Sequence, residues 1–136
     1  MHTASALALT GFIAWALSLL VLMEVLRVRL VLIGANRSDE FTPDNRNLSP
    51  FMQRLARAHA NCLEGLPLFG GLLVVALVTE RQSITDPLAL WLLAARIVQS
   101  TIHLVSVQPL AVNLRFAAFA AQMVIGTLWA AQLLQS

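Results

Sequence analysis

The chain has 136 residues, 58% hydrophobic and only 12% charged, with a formal net charge of +2, and its mean hydropathy is +0.75. A soluble domain carries about 45–50% apolar and about 25% charged residues, so the composition argues against a water-soluble globule and for a membrane solvent. All nine basic residues are arginine; with no basic cluster interleaved with aromatics, nothing points to a nucleic-acid partner. The lone cysteine, Cys62, excludes an intrachain disulfide.

A helix needs about 20 residues to cross a hydrocarbon core of about 30 Å, and four such spans fill nearly the whole chain as a single all-α membrane domain over residues 1–136. The first span is predicted over about 4–33. It lacks a basic leader before its long apolar run, so it reads as a retained helix rather than a cleaved signal. Gly34-Ala35-Asn36 breaks it, and a polar loop rich in Pro, Asn and Asp follows to Asn47. Ser49-Pro50 supplies an N-cap and a first helical residue for the second span, predicted over 50–79. That helix starts amphipathic and turns wholly apolar after Leu66. A short polar turn at Thr79–Ser83 leads to a third span over about 87–107, and Gln108-Pro109 separates it from a fourth over about 113–134. Trp15, Trp91 and Trp129 are expected in an aromatic belt at the membrane edge, Gly70-Gly71 at a close helix contact, and Cys62 as a small buried hydrophobe.

Arginine counts in short loops set orientation. The first loop and its flanks hold Arg27, Arg29, Arg37, Arg46, Arg54 and Arg57, and Arg115 lies beside the third loop, whereas the opposite side has only Arg81. Loops one and three are therefore expected in the cytoplasm, with both termini on the other side.

Ionisable groups inside spans are costly, about 2.5–3.5 kcal/mol each on insertion scales, and mark either a functional site or a pairing network. On helix two, Arg54, Arg57, Asn61 and Glu64 recur at three- and four-residue intervals and form one stripe; His59 points to another face and suits a structural role. On helix three, Arg96, Gln99, Ser100 and His103 repeat the spacing, with His103 open between structure and function. Helix four adds Arg115 and Gln122, and helix one Glu24, Arg27 and Arg29. One reading is interhelical glue, with Arg57 paired to Glu64 or Glu24 and amides bridging helices. Arginines outnumber carboxylates at this depth, however, and a guanidinium matches a carboxylate bidentately. The excess charge points to an anionic, carboxylate-bearing ligand entering from the cytoplasm, with Glu64 free to receive its ammonium.

The segment Arg57-Ala58-His59-Ala60-Asn61-Cys62-Leu63-Glu64-Gly65-Leu66-Pro67 resembles the signature of the MAPEG family, the membrane-associated proteins in eicosanoid and glutathione metabolism. Four spans, a polar first loop, an arginine in helix three and an arginine at the start of helix four agree in outline over the full chain. The resemblance implies a four-helix bundle assembling as a homotrimer, with glutathione as co-substrate between subunits near the cytoplasmic side. It implies glutathione contacts for Arg57, Asn61 and Glu64, and for Arg27 or Arg29; the stripe spacing, apart from the resemblance, adds Arg54, Arg96, Gln99 and His103 to the candidate binding residues. It implies a catalytic role for Arg115, because a guanidinium beside a thiol stabilises the thiolate nucleophile. The second substrate would be a lipophilic electrophile arriving through the membrane lipid; neither metal nor redox cofactor is called for.

The chain departs from the family pattern in having no tyrosine: Gln99, His103 and Phe119 stand where family synthases often place aromatic hydroxyls, and Ala60 where some carry arginine. The expected activity is therefore a general glutathione S-transferase or peroxidase rather than a prostaglandin- or leukotriene-forming synthase. The alternative is a non-catalytic lipid- or glutathione-binding membrane protein of the same fold.

Overall fold

The computed structural model describes residues 3–135, and all their regular structure is helical: α1 (Ala4–Leu32), α2 (Pro50–Val78), α3 (Gln82–Val105) and α4 (Pro109–Gln135). Each is long and apolar enough to cross a membrane, at 24 to 29 residues, so helix ends or tilt must absorb the excess over the hydrocarbon thickness. The chain runs up, down, up and down. Loop 33–49 and the short 106–108 connection thus lie at one end, and the 79–81 turn, the start of α1 and the end of α4 at the other.

Local chemistry sets the helix ends. Thr3 Oγ1 accepts from the Ala6 amide at 3.1 Å and Ser49 Oγ from the Met52 amide at 3.3 Å, N-caps worth about 1 kcal/mol each. α1 stops in a Schellman turn: Gly34, at φ 76°, adopts the left-handed conformation that only glycine takes freely. Its amide donates to the Val31 carbonyl at 3.1 Å and that of Ala35 to the Leu30 carbonyl at 3.0 Å.

Two helix starts fall earlier than the sequence suggests, at Gln82 instead of Pro87 and at Pro109 instead of Asn113. In both cases a proline taken as a boundary lies inside the helix. Pro109 occupies the first position, where the missing N–H has no intrahelical partner to lose. Pro87 sits just past the first turn, beside Thr85 and Asp86, which bond to α1. Ser5 Oγ lies 2.5 Å from Thr85 Oγ1 and donates to Asp86 Oδ1 at 2.6 Å, and the Ser5 amide donates to the same carboxylate oxygen at 2.9 Å. Asp86 thereby places negative charge at the α1 N-terminus, where the helix dipole favours it.

Pro67 interrupts α2 differently. Residues Leu66–Gly70 widen into a π-helical turn, which accommodates the absent N–H and the ring that would strike the preceding carbonyl. Gly65, just before it, is buried against α3: a Cβ there would lie 2.5 Å from Arg96 Nη2. Of Gly70-Gly71, only Gly70 serves close packing, against Leu66 and Leu9; a Cβ on Gly71 would meet nothing within 4 Å.

The core has two parts. Near the chain ends, Ala8, Phe12, Phe69, Leu73, Ala89, Leu92 and Trp129 join all four helices. At the arginine-rich end, Ala16, Leu19 and Met23 of α1 pack on Met52, Leu55, Ala58 and Cys62 of α2, and α4 takes no part. Among the described residues α4 meets α2 only from the π-turn onward, and none of residues 109–121 is fully buried. One expectation is corrected here: Trp129 is 1% exposed and belongs to the core, whereas Trp91 is 69% exposed and fits an interfacial belt. On α4 that position faces α2 and α3, so packing rather than membrane depth fixes its environment.

Candidate functional site

The polar stripes converge where α4 parts from the first half of α2, and they divide into three groups. The innermost is a buried hub. Arg96, with no exposed surface, and Gln99, 4% exposed, rise from α3 toward Asn61 of α2. Arg96 Nη1 donates to Asn61 Oδ1 at 2.5 Å and Gln99 Nε2 to the same oxygen at 3.0 Å. Gln122 of α4, also fully buried, donates from Nε2 to Gln99 Oε1 at 2.8 Å and to the Ala118 carbonyl at 3.1 Å. Arg96 lies over the Phe12 ring, 5.2 Å from its centroid, while its Nε and Nη2 have no hydrogen-bond partner. No carboxylate faces this guanidinium among the described residues. Cys62 packs beside it as a small buried side chain, its Sγ 3.3 Å from Ser100 Oγ.

Residues of the second group hold the end of the bundle together. Arg27 donates from Nε and Nη2 to Asn45 Oδ1 at 3.1 and 2.6 Å, from Nη2 to the Thr42 carbonyl at 2.9 Å, and from Nη1 to Glu24 Oε1 at 3.0 Å, and it stacks over Phe41. Asn45, fully buried, passes the restraint to α2 by donating from Nδ2 to the Met52 carbonyl at 2.8 Å. It adopts a left-handed φ of 55°, which asparagine tolerates better than most residues. Asn45 lies outside the helical stripes, and its only mark in the sequence is the turn-forming Pro43-Asp44-Asn45. Arg54 donates from Nε to the Leu104 carbonyl at 2.8 Å, capping the last turn of α3 where the dipole is negative. Beyond this anchor, Thr42 donates to Asp44 Oδ1 at 2.8 Å, and that bond holds the exposed Asp44 carboxyl below the usual carboxylate range.

The third group is open. Arg57 and Glu64 are exposed on α2, Arg29 is exposed on α1, and Arg115 and His103 are partly buried on α4 and α3. None makes a hydrogen bond or ion pair to another described residue, so the expected pairing of Arg57 with Glu64 or Glu24 is not formed. His103 lies within electrostatic range of both Arg115 and Arg57, bringing α2, α3 and α4 to one locus. The partly buried His59, on another face, is within range of Glu24 and Arg27. Of the two helix-one arginines, Arg27 is engaged by the loop and Arg29 is free, lining a cavity of about 480 Å³ with Asn36, Asn47 and Ser49.

A second cavity of about 540 Å³ lies between the π-turn of α2 and α4, walled by Pro67, Leu68, Phe69, Phe119 and Met123 among others. Phe119 is one helical turn from Arg115, so this apolar groove opens next to the cationic locus. The arrangement can therefore bind carboxylates through guanidinium, an ammonium through Glu64, and an apolar chain in the groove. At membrane depth an exposed Arg57 and Glu64 call for a polar cover that the single chain does not provide.

Comparison with known proteins gives one positive result: the family model for the MAPEG family matches residues 5–135. No curated protein and no solved structure matches the chain.

Proposed function

The chain belongs to the MAPEG family, which makes it a multi-pass membrane protein of glutathione and eicosanoid metabolism, and from that premise we propose that it is a glutathione S-transferase- or peroxidase-like enzyme. It activates the glutathione thiolate for attack on lipophilic electrophiles or hydroperoxides. The observation that carries this reading is the open locus beside the half-buried Asn61, where the side chains of Arg57, Glu64, Arg115 and His103 have no hydrogen bond or ion pair among the described residues. Guanidinium in excess of carboxylate at membrane depth calls for an anion.

In this scheme Arg57 and Arg29 hold the carboxylates of glutathione, Asn61 hydrogen-bonds it, and Glu64 receives its ammonium. Arg115 stabilises the thiolate, raising the fraction of the nucleophilic form at neutral pH. The lipophilic partner lies in the groove beside Phe119 and meets the sulfur at its cationic mouth. Arg96 and Gln99 act from behind, through Asn61. A homotrimer completes the site, a neighbouring subunit covering the exposed face of α2. The arginine-rich end, with the 33–49 and 106–108 loops, faces the cytoplasm, where glutathione is available, and both termini lie opposite.

The test is calorimetric titration of glutathione into the detergent-solubilised protein, with turnover of a chromogenic electrophile measured alongside. Saturable binding with turnover is expected. Binding without turnover rejects the enzyme reading for a binding protein, and no binding rejects glutathione.

A further inference from the structure

Asn61 joins the buried hub to the open face, and its amide is held in one orientation from two directions. A carboxamide oxygen and nitrogen are distinguished by what they meet. Arg96 carries N–H donors and no acceptor, so the Asn61 atom 2.5 Å from its Nη1 is the oxygen. That oxygen is also 3.0 Å from Gln99, which must then present nitrogen to it and turn its own oxygen to Gln122, 2.8 Å away. Gln122 must in turn present nitrogen. From the far end the same answer follows independently: this atom lies 3.1 Å from the Ala118 carbonyl, which only accepts. Arginine at one end and a backbone carbonyl at the other leave no alternative polarity for the three amides between them.

We infer that the Arg96–Gln99–Gln122 relay locks Asn61 with its NH2 group turned out of the hub, so that this position of the site is an obligate donor and selects a ligand carrying a carboxylate or carbonyl oxygen there. Nδ2 meets no acceptor among the described residues, yet it is not among the buried side-chain atoms left without a partner; it therefore keeps accessible surface, one helical turn along α2 from both Arg57 and Glu64. Flipping the amide would set Nδ2 against a buried guanidinium whose Nε and Nη2 already lack partners. A donor-bearing ligand therefore cannot be accommodated by rotation. Arg96, Gln99 and Gln122 are positioning residues in this scheme. The identity of the ligand rests on the proposed function; the polarity of the relay does not.

Asn61→Asp separates the two. One carboxylate oxygen keeps the bonds from Arg96 and Gln99, while the other replaces the outward donor by an acceptor. The variant is expected to unfold thermally no earlier than wild type, whereas Asn61→Leu unfolds earlier; equal destabilisation by Asp and Leu would overturn the inward polarity. Glutathione affinity, titrated calorimetrically, is expected to fall at least about a hundredfold in Asn61→Asp, as one favourable contact is replaced by a repulsive one; wild-type affinity overturns the outward donor. The preference of wild type for glutathione over its diamide should narrow or invert in this variant, and an unchanged preference counts against the selection. Gln99→Glu, which keeps the bond from Gln122 but sets an acceptor against Asn61 Oδ1, is expected to weaken glutathione by about tenfold; no effect rejects the relay. If wild type binds no glutathione, the proposed function fails, while the comparison of Asp with Leu still decides the polarity.

Discussion

Asn61, Arg96, Gln99 and Gln122 on one side, and Arg57, Glu64, His103 and Arg115 on the other, come from the same three helices and nearly the same depth, yet they are built in opposite ways. The first set closes on itself through bonds of 2.5 to 3.0 Å; the second makes no hydrogen bond or ion pair with the described residues. The difference follows the packing. Where α3 lies between α2 and α4, polar groups bond mainly to one another, because a buried unpaired group forfeits its solvation, although Arg96 Nε and Nη2 and Gln122 Oε1 keep no partner among the described residues. Where α4 stands away from Pro50–Gly65, the same residue types remain available to a ligand and a neighbouring subunit. In the proposed scheme the closed set aligns and the open set binds.

Breaking the open set should therefore cost function and spare the fold. Arg115→Ala carries the largest expected effect, a fall in turnover of about 10²–10³-fold, as for loss of one group aimed at a developing anion, with glutathione affinity nearly kept; unchanged kcat removes Arg115 from the catalytic role. Arg57→Ala should weaken glutathione by about 10–100-fold through loss of a charge-assisted pair, while the unfolding midpoint moves no more than a surface substitution would; a large drop in the midpoint would place Arg57 in the closed set instead.

The closed set should respond the other way round. Gln99→Leu leaves Gln122 without its acceptor and is expected to lower stability by about 1–3 kcal/mol, read by denaturation in mixed micelles; an unaltered stability would mean that the hub carries no structural weight. The smallest effect belongs to the loop beyond both sets. The folded-state pKa of Asp44 is lowered by its bond from Thr42, so the stabilisation it gives is present above the ordinary carboxylate range and lost only as pH falls through the depressed value. Asp44→Asn should thus lower stability slightly near neutral pH, with the loss shrinking in acid so that the acid limb flattens, and an effect at pH 3 larger than at pH 7 contradicts this sign.

Much of the bundle was legible in the sequence, because apolar length and turn residues act locally. The helix starts at Pro109 and Gln82 were not, because whether a proline precedes a helix or sits inside it depends on what its neighbours bond to. The stripe Arg54, Arg57, Asn61, Glu64 was read as one face, yet each residue advances about 100° around the helix, and the α3 boundary falls across the stripe. Arg54 reaches the end of α3, Asn61 meets the hub, and Arg57 and Glu64 stay outside.

Sequence alone determined that this is a four-span membrane bundle with its guanidinium gathered at one end, since hydropathy and arginine position are properties of residues and not of contacts. Tertiary structure decided which arginines are occupied. Arg27 and Arg29, two residues and so about 200° apart, cannot face one site together: the first is taken by Asn45, Thr42 and Glu24, the second left open to the cavity at the α2 start. That division depends on where loop 33–49 folds back, and loop closure is set by its packing against both helices rather than by any spacing along the chain.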